Sequence, residues 1–375
     1  MLQQPSLWFI LVAFICAIGP LVFIHEFGHY VVAKLFGVGA EVFSIGFGRE
    51  IFGWTDRSGT RWKVGWLPLG GFVRFVGDMN PASAPAKPED VPEELRSRSF
   101  HLKPVWQRFL IVLAGPMANF LVAILIFAAF FAIFGAPRTN VVGLVAPNSP
   151  AAKAGIQAGD RIFSVGGRAT PTFNDIRSYV ILRPNERVIV QFERDRSIRQ
   201  AEVTLQADVI VDEYGQRFRR GLLGVSPTSG LLEPVPPAKL IPLGADYTLK
   251  LTRWMIDGLG QIITGKRSVK EMRGPFGIAQ IAGQQARLGA FEFIQLVAII
   301  SINLGFINLL PVPVLDGGHL FFYGVEAVRR RPVSLQVQDW AFRGGLALIL
   351  ALLLFTTFND LGSFGLWDRL GRLIG

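Results

Sequence analysis

"FIHEFGHYVVAKLFG", residues 23–37, closes a run of apolar residues long enough to cross a bilayer. His25, Glu26 and His29 are costly in hydrocarbon, and ionisable residues inside a membrane segment mark function by default. An HExxH pattern on a helix sets its two histidines one turn apart on one face, where both imidazoles reach a single zinc ion. The glutamate between them can polarise water on that ion. The stretch therefore points to a membrane-embedded helix that carries a metal centre. The plainer readings are a polar helix interface or a proton relay.

The rest of the chain fits membrane helices plus a folded insert. Half of its 375 residues are apolar and its mean hydropathy is +0.39, high for a soluble protein but diluted for one that is all membrane. The net charge of +10 comes with no basic helix or RNA-binding signature, so no nucleic-acid partner is expected. Basic residues beside apolar segments read instead as topology determinants facing anionic lipid. The single cysteine, Cys16, lies in an apolar run, which rules out an internal disulfide and leaves the redox compartment unread.

Four apolar stretches stand out: 7–24, 109–135, 293–315 and 344–358, the last lengthened by 340–342 with Arg343 snorkelling. The first lacks a basic leader and a small-residue cleavage site, so it reads as a retained span. Lys34 follows the first span, Arg98, Lys103 and Arg108 precede the second, and "VRRRP" (328–332) separates the third from the fourth. The positive-inside rule then puts 35–104 and 316–343 in the cytoplasm. The N-terminus, the segment 136–290 and the C-terminus lie outside.

Two histidines need a further protein ligand. "NLLPVPVLDGGHL" (308–320) ends the third apolar stretch and contains Asp316. At 1.5 Å per residue, His25 lies about 27 Å along its span and Asp316 about 34 Å along its own, a difference that tilt and two prolines can absorb. A His/His/Asp set leaves the fourth zinc position to water, as catalysis requires. His319 is the rival ligand, and His101 reads as an exposed loop residue.

"EVFSIGFGREIFGW" (41–54) and "TRWKVGWLPLGGFVRFVG" (60–77) are aromatic and β-branched, punctuated by Gly and Pro. They read as strands folding back into the inner membrane face, or as a plain interface anchor. In the first case Phe72, Val73 and Arg74 lie on an edge that could pair with an extended substrate. In "AGPMANF" (114–120), Gly115 reads as a packing residue and Pro116 as a kink, while Asn119 makes a structural hydrogen bond or lines the site. "KPEDVPEELRSRSF" (87–100) reads as a solvated, flexible loop. "TLKLTRWMIDGLGQIITG" (248–265) reads as amphipathic helix on the outer membrane surface.

From Val141, "VVGLVAPNSPAAKAGIQAGDRIFSVGG" runs strand, short helix, turn, strand, with a helix expected at 173–182. The segment resembles a PDZ domain of the bacterial, circularly permuted kind. "GLLGV" (221–225) resembles its peptide-carboxylate loop, which assigns Gly221, Leu222, Leu223 and Gly224. Such a module takes chain ends or strands by β-addition, or serves as a size filter.

HEFGH in the first span and N-x-x-P-x-P-x-L-D-G-G in the third resemble the site-2 protease family of intramembrane zinc metalloproteases, in its RseP (regulator of sigma-E protease) branch. The likeness implies His25, His29 and Asp316 as zinc ligands and Glu26 as general base and acid. It implies that Asn308 holds substrate, with Asn303 and Asn119 at polar positions also seen in relatives. It further implies a membrane-reentrant β-loop, a Gram-negative inner membrane, and single-span substrates already trimmed on the periplasmic side, such as anti-sigma factors or leftover signal peptides. Many such relatives carry two PDZ domains; the A-G-I-x-x-G-D-x-I pattern occurs once here.

The expected fold is a polytopic α-helical membrane protein with four spans, a reentrant β-hairpin and an inserted periplasmic PDZ domain of α+β type. Its parts are 1–37 (first span, HExxH), 38–104 (β-loop and flexible loop), 105–135 (second span) and 136–228 (PDZ). There follow 229–291 (amphipathic helices), 292–318 (third span with LDG), 319–343 (cytoplasmic loop) and 344–375 (fourth span and tail). Competing readings are a catalytically silent scaffold presenting a PDZ module, which predicts a lost ligand or base, and a metal or proton transporter. The transporter would need a polar path that the fourth span does not offer.

Overall fold

A computed structural model describes residues 5–77, 92–137, 140–211, 217–227, 232–266, 268–269 and 272–363. Along the chain run α1 (Leu7–Leu35), β1 (Ala40–Thr55), β2 (Arg61–Phe75), α2 (Glu93–Arg96) and α3 (Val105–Phe134). Next come β3 (Ala136–Pro137), β4 (Val142–Val145), α4 (Pro150–Lys153), β5 (Arg161–Val165), β6 (Arg168–Ala169) and α5 (Phe173–Ile181). Strands β7 (Arg187–Arg194), β8 (Ser197–Thr204), β9 (Gln206–Val211), β10 (Arg217–Leu222), β11 (Val225–Pro227) and β12 (Leu232–Glu233) follow. The last described elements are α6 (Pro237–Ile263), α7 (Pro275–Leu288), α8 (Ala290–Asn308), α9 (Asp316–Arg329) and α10 (Leu335–Ser363). Two compact units result, 1–127 with 273–358 and 128–272 with 359–375.

In the first unit, apolar runs become long helices. Among the described residues, four are long and apolar enough to cross a membrane: Leu7–Leu35, Val105–Phe134, Ala290–Asn308 and Gln336–Gly362. The third differs from the expected 292–318. Its helix stops at Asn308 because Pro311 and Pro313 lack the N–H that would continue it. A turn follows at 309–315, and Asp316 opens a separate helix, α9. A helix of 19 residues is about 28 Å long. The fourth span is longer than 344–358. The expected flexible loop 87–100 falls partly outside the described residues, and within them Ser99 and Phe100 are buried. His101 is half-buried with its ring edge-on to Phe100.

β1 and β2 form an antiparallel hairpin whose register doubles back. Val42, Phe43, Ser44 and Ile45 each face two partners, one in 61–64 and one in 71–74, so 40–45 lies between two stretches of β2. Gly46 and Gly48, both at φ +84°, make the bend that frees 50–55 to pair with 61–65. The consequence is positional: 71–75 becomes an edge. Phe43, wholly buried, stacks on Trp62 at 4.3 Å and fixes the hairpin to α1 through Phe23 and Tyr30. Val73, Phe75, Phe100, Ile111 and Tyr323 complete that core.

The second unit holds a small β-rich module. β6-β5-β7-β8 form one sheet, and β4–β11, β9–β10 and β3–β12 pair separately. Ile162, Val165, Ile176, Val190 and Leu205 fill its core. The helix expected at 173–182 forms at Phe173–Ile181 because Thr172 and Asp175 make a capping box. One face of α5 borders a groove of about 360 Å³ closed by Gly221, Leu222, Leu223 and Gly224. The other face borders a cavity of about 560 Å³ against α6. α6 holds both ends of α5, with Lys250 3.2 Å from Asp175 and Arg183 3.7 Å from Asp257.

Candidate metal centre

The last turns of α1, the stripe 111–119 of α3 and the N-terminus of α9 meet at one point. His25 and His29 project from the same face of α1, their Nε2 atoms 3.3 Å apart. Asp316 Oδ2 lies 3.1 Å from His25 Nε2 and 3.5 Å from His29 Nε2. Among the described residues these are the one set of three able to share a metal ion. Both histidines are buried, and Asp316 Oδ2 is buried facing only the two imidazole Nε2 atoms. Two imidazole nitrogens and a carboxylate oxygen this close together can share one cation, and a nitrogen, nitrogen, oxygen donor set suits zinc. The residues present fit that ion.

Close packing on α3 makes the convergence possible. The imidazole of His29 occupies the space that a side chain at Gly115 would fill. A Cβ at Gly28 would sit 2.6 Å from the Ala114 carbonyl oxygen, so the pair of glycines lets α1 and α3 touch along their backbones. His29 Nδ1 lies 2.8 Å from the Ile111 carbonyl oxygen. Asn119 is wholly buried behind His25, its Nδ2 3.1 Å from His25 Nδ1 and its Oδ1 without a partner. Ser301 Oγ on α8 donates to the Asn119 carbonyl oxygen at 2.8 Å.

Asp316 is delivered by a tight turn. Val314 adopts φ +93°, a costly conformation for a β-branched residue, of order 1–3 kcal/mol. Gly317 and Gly318 pack where a Cβ would strike the backbone of 309–313, and Gly345 of α10 lies against the Pro313 carbonyl. The turn is thus held on two sides.

The centre opens into a cavity of about 510 Å³. Glu26, Asn308, Phe72, Val73 and His319 line it together with the three donors. The Val73 backbone amide donates to the Glu26 carboxylate, and Gly71 packs on Val22 and Glu26, so the strand edge lies against the acid. His319 stands outside the three-donor set, its ring 5.2 Å from Phe342. Arg74 is turned to Glu41 at 3.0 Å. Asn303 is half-buried on α8 and Asn119 backs His25, so neither lines the cavity. Sequence reading missed the Ile111 carbonyl, the seat of His29 at Gly115 and the strained Val314.

A model of peptidase family M50 matches residues 13–352. "Putative zinc metalloprotease R01501" of Rhizobium meliloti is 42% identical over 367 residues, covering 96% of this chain and 98% of its own length. "Putative zinc metalloprotease Atu1380" of Agrobacterium fabrum is 39% identical over 360 residues, covering 94% and 96%. "Metalloprotease MmpA" of Caulobacter vibrioides is 38% identical over 389 residues, covering 97% and 98%. A solved PDZ domain from Listeria monocytogenes aligns over 24% of this chain and 90% of its own, with 22% identity and a TM-score of 0.20.

Proposed function

The chain belongs to peptidase family M50, the site-2 protease family, and from that premise we propose that it is a zinc endopeptidase cutting transmembrane segments of single-span proteins inside the bilayer. The observation that carries the reading is the meeting of the His25, His29 and Asp316 donor atoms at one buried point, with Glu26 in the same cavity. His25, His29 and Asp316 would hold the metal. Zinc, when bound, supplies a Lewis acid that lowers the pKa of water to about 7 and polarises a carbonyl.

The chain's own groups do the rest. Glu26 takes a proton from the attacking water and delivers it to the amine nitrogen as the C–N bond breaks. The Val73 amide holds the carboxylate in place for both transfers. A helical substrate must unwind first, and each exposed backbone group costs several kcal/mol in lipid unless rebonded. Pairing of the unwound stretch with the edge at Phe72 and Val73 supplies those bonds. Asn308 donates to the substrate backbone or to the developing oxyanion.

By the distribution of Lys and Arg, the N-terminus, the 136–228 module and the C-terminus face the periplasm, with the cut near the cytoplasmic side of a Gram-negative inner membrane. The hairpin is membrane-reentrant in this scheme, and α6 and α7 are surface-lying helices. The 136–228 module acts as a PDZ domain, taking a peptide end in the groove at α5 or excluding untrimmed substrates. Substrates are single-span proteins, such as anti-sigma factors or signal-peptide remnants, already trimmed outside. A silent scaffold is disfavoured because all three ligands and the acid are in place.

The test is reconstitution of the full chain in liposomes with a trimmed one-span substrate. Wild type should cleave, chelator should stop it and added zinc restore it. Glu26→Gln should keep zinc and lose about 100-fold or more in rate. Full activity in Glu26→Gln would overturn the assignment.

A further inference from the structure

We propose that Asn119 is the positioning residue of His25, accepting the imidazole Nδ1 proton on its carboxamide oxygen so that Nε2 meets the metal as a bare lone pair. The inference rests on the reading of this site as a zinc centre. It starts from His29. A backbone carbonyl can only accept, so the 2.8 Å contact with Ile111 places the proton of that imidazole on Nδ1 and the lone pair on Nε2.

His25 needs the same tautomer, and α3 offers the same kind of partner. Ile111, Gly115 and Asn119 are spaced by four, one stripe of the helix. The stripe presents in turn an acceptor for His29, a gap for its ring, and a carboxamide for His25.

The two ends of a carboxamide have nearly the same size, so its orientation follows from its partners. With the amide nitrogen toward Nδ1, His25 would carry its proton on Nε2, aimed at Asp316 and His29 and blocking the shared position. Oδ1 would also remain buried and without a partner. A half-turn of the amide lets Oδ1 accept the Nδ1 proton and frees Nε2, with Nδ2 moving to the buried position that Oδ1 held. The Ser301 hydroxyl on the Asn119 backbone carbonyl fixes this point of α3 against α8, and Asn119 is wholly buried. Outer partners of this kind set ring orientation and basicity, and their loss weakens metal binding about 10- to 100-fold.

The test uses the full chain in detergent, with zinc affinity read by chelator competition and cobalt(II) as a spectroscopic substitute. Asn119→Leu removes the acceptor and should weaken zinc about 10- to 100-fold and alter the cobalt spectrum. Asn119→Asp keeps an acceptor but has no N–H, and should bind zinc at least as tightly as wild type with the cobalt spectrum restored. Wild-type affinity in Asn119→Leu would overturn the proposal. So would loss of zinc in Asn119→Asp, the outcome expected if the amide nitrogen were the working group; that arm decides the matter even if Asn119→Leu fails to fold. Failure of wild type itself to bind zinc would instead remove the zinc-centre reading beneath it.

Discussion

At the scale of single residues, space matters as much as chemistry. Gly115→Ala puts a methyl where the His29 ring lies. Alanine favours a helix over glycine by about 1 kcal/mol, so α3 itself should not weaken. The expected result is a loss of zinc of tenfold or more with unchanged helical circular dichroism, read by elemental analysis after dialysis. Undiminished zinc would show that the ring can be accommodated elsewhere. HExxH and Asp316 were legible because side-chain chemistry and spacing announce them. The Ile111 carbonyl was not, since every residue carries one, and nothing in the letter Val at 314 signals a positive φ. Gly115 was visible only as a packing glycine, because the space beside it belongs to a residue 86 positions earlier in the chain.

At the scale of elements, hydropathy located the spans but misjudged the end of the third. Apolar character continues through 309–315, whereas hydrogen bonding stops at the prolines, and a hydropathy average cannot register a missing N–H. The doubled register of the hairpin was equally hidden, because alternation reveals a strand but not its second partner. The α5 helix was well placed from sequence, since its cap is written in Thr172 and Asp175. The turn before β5 offers a pH test. Burial pushes the Asp160 carboxyl up, but Arg194 at 2.7 Å and the Gln157 amide at 2.8 Å pull it further down, leaving it below the ordinary carboxylate range. A depressed carboxyl stabilises the fold above its unfolded value near 3.9, and that contribution fades as pH falls through the folded value. Asp160→Asn should therefore cost about 1.5–3 kcal/mol at pH 7. The gap from wild type should close in thermal unfolding scans taken toward pH 3 and below. A gap independent of pH would refute the assignment.

At the scale of the whole molecule, one ion would tie α1 to α9, elements separated by nearly 300 residues of chain. Binding to the folded state alone at 100 times the dissociation constant adds about 2.7 kcal/mol. Chelation should accordingly lower the unfolding temperature of wild type, and zinc should restore it. Asp316→Ala should melt at one temperature with or without chelator; a shift in that variant would place the stabilising ion elsewhere. The contact of Gly345 with Pro313 gives the final helix a purpose that its bland composition conceals. It contributes no donor, base or acceptor, yet it is the backstop against which the acid-bearing bend rests. A protein cut short at residue 334 would retain every reactive group and lose the wall that keeps one of them from swinging away.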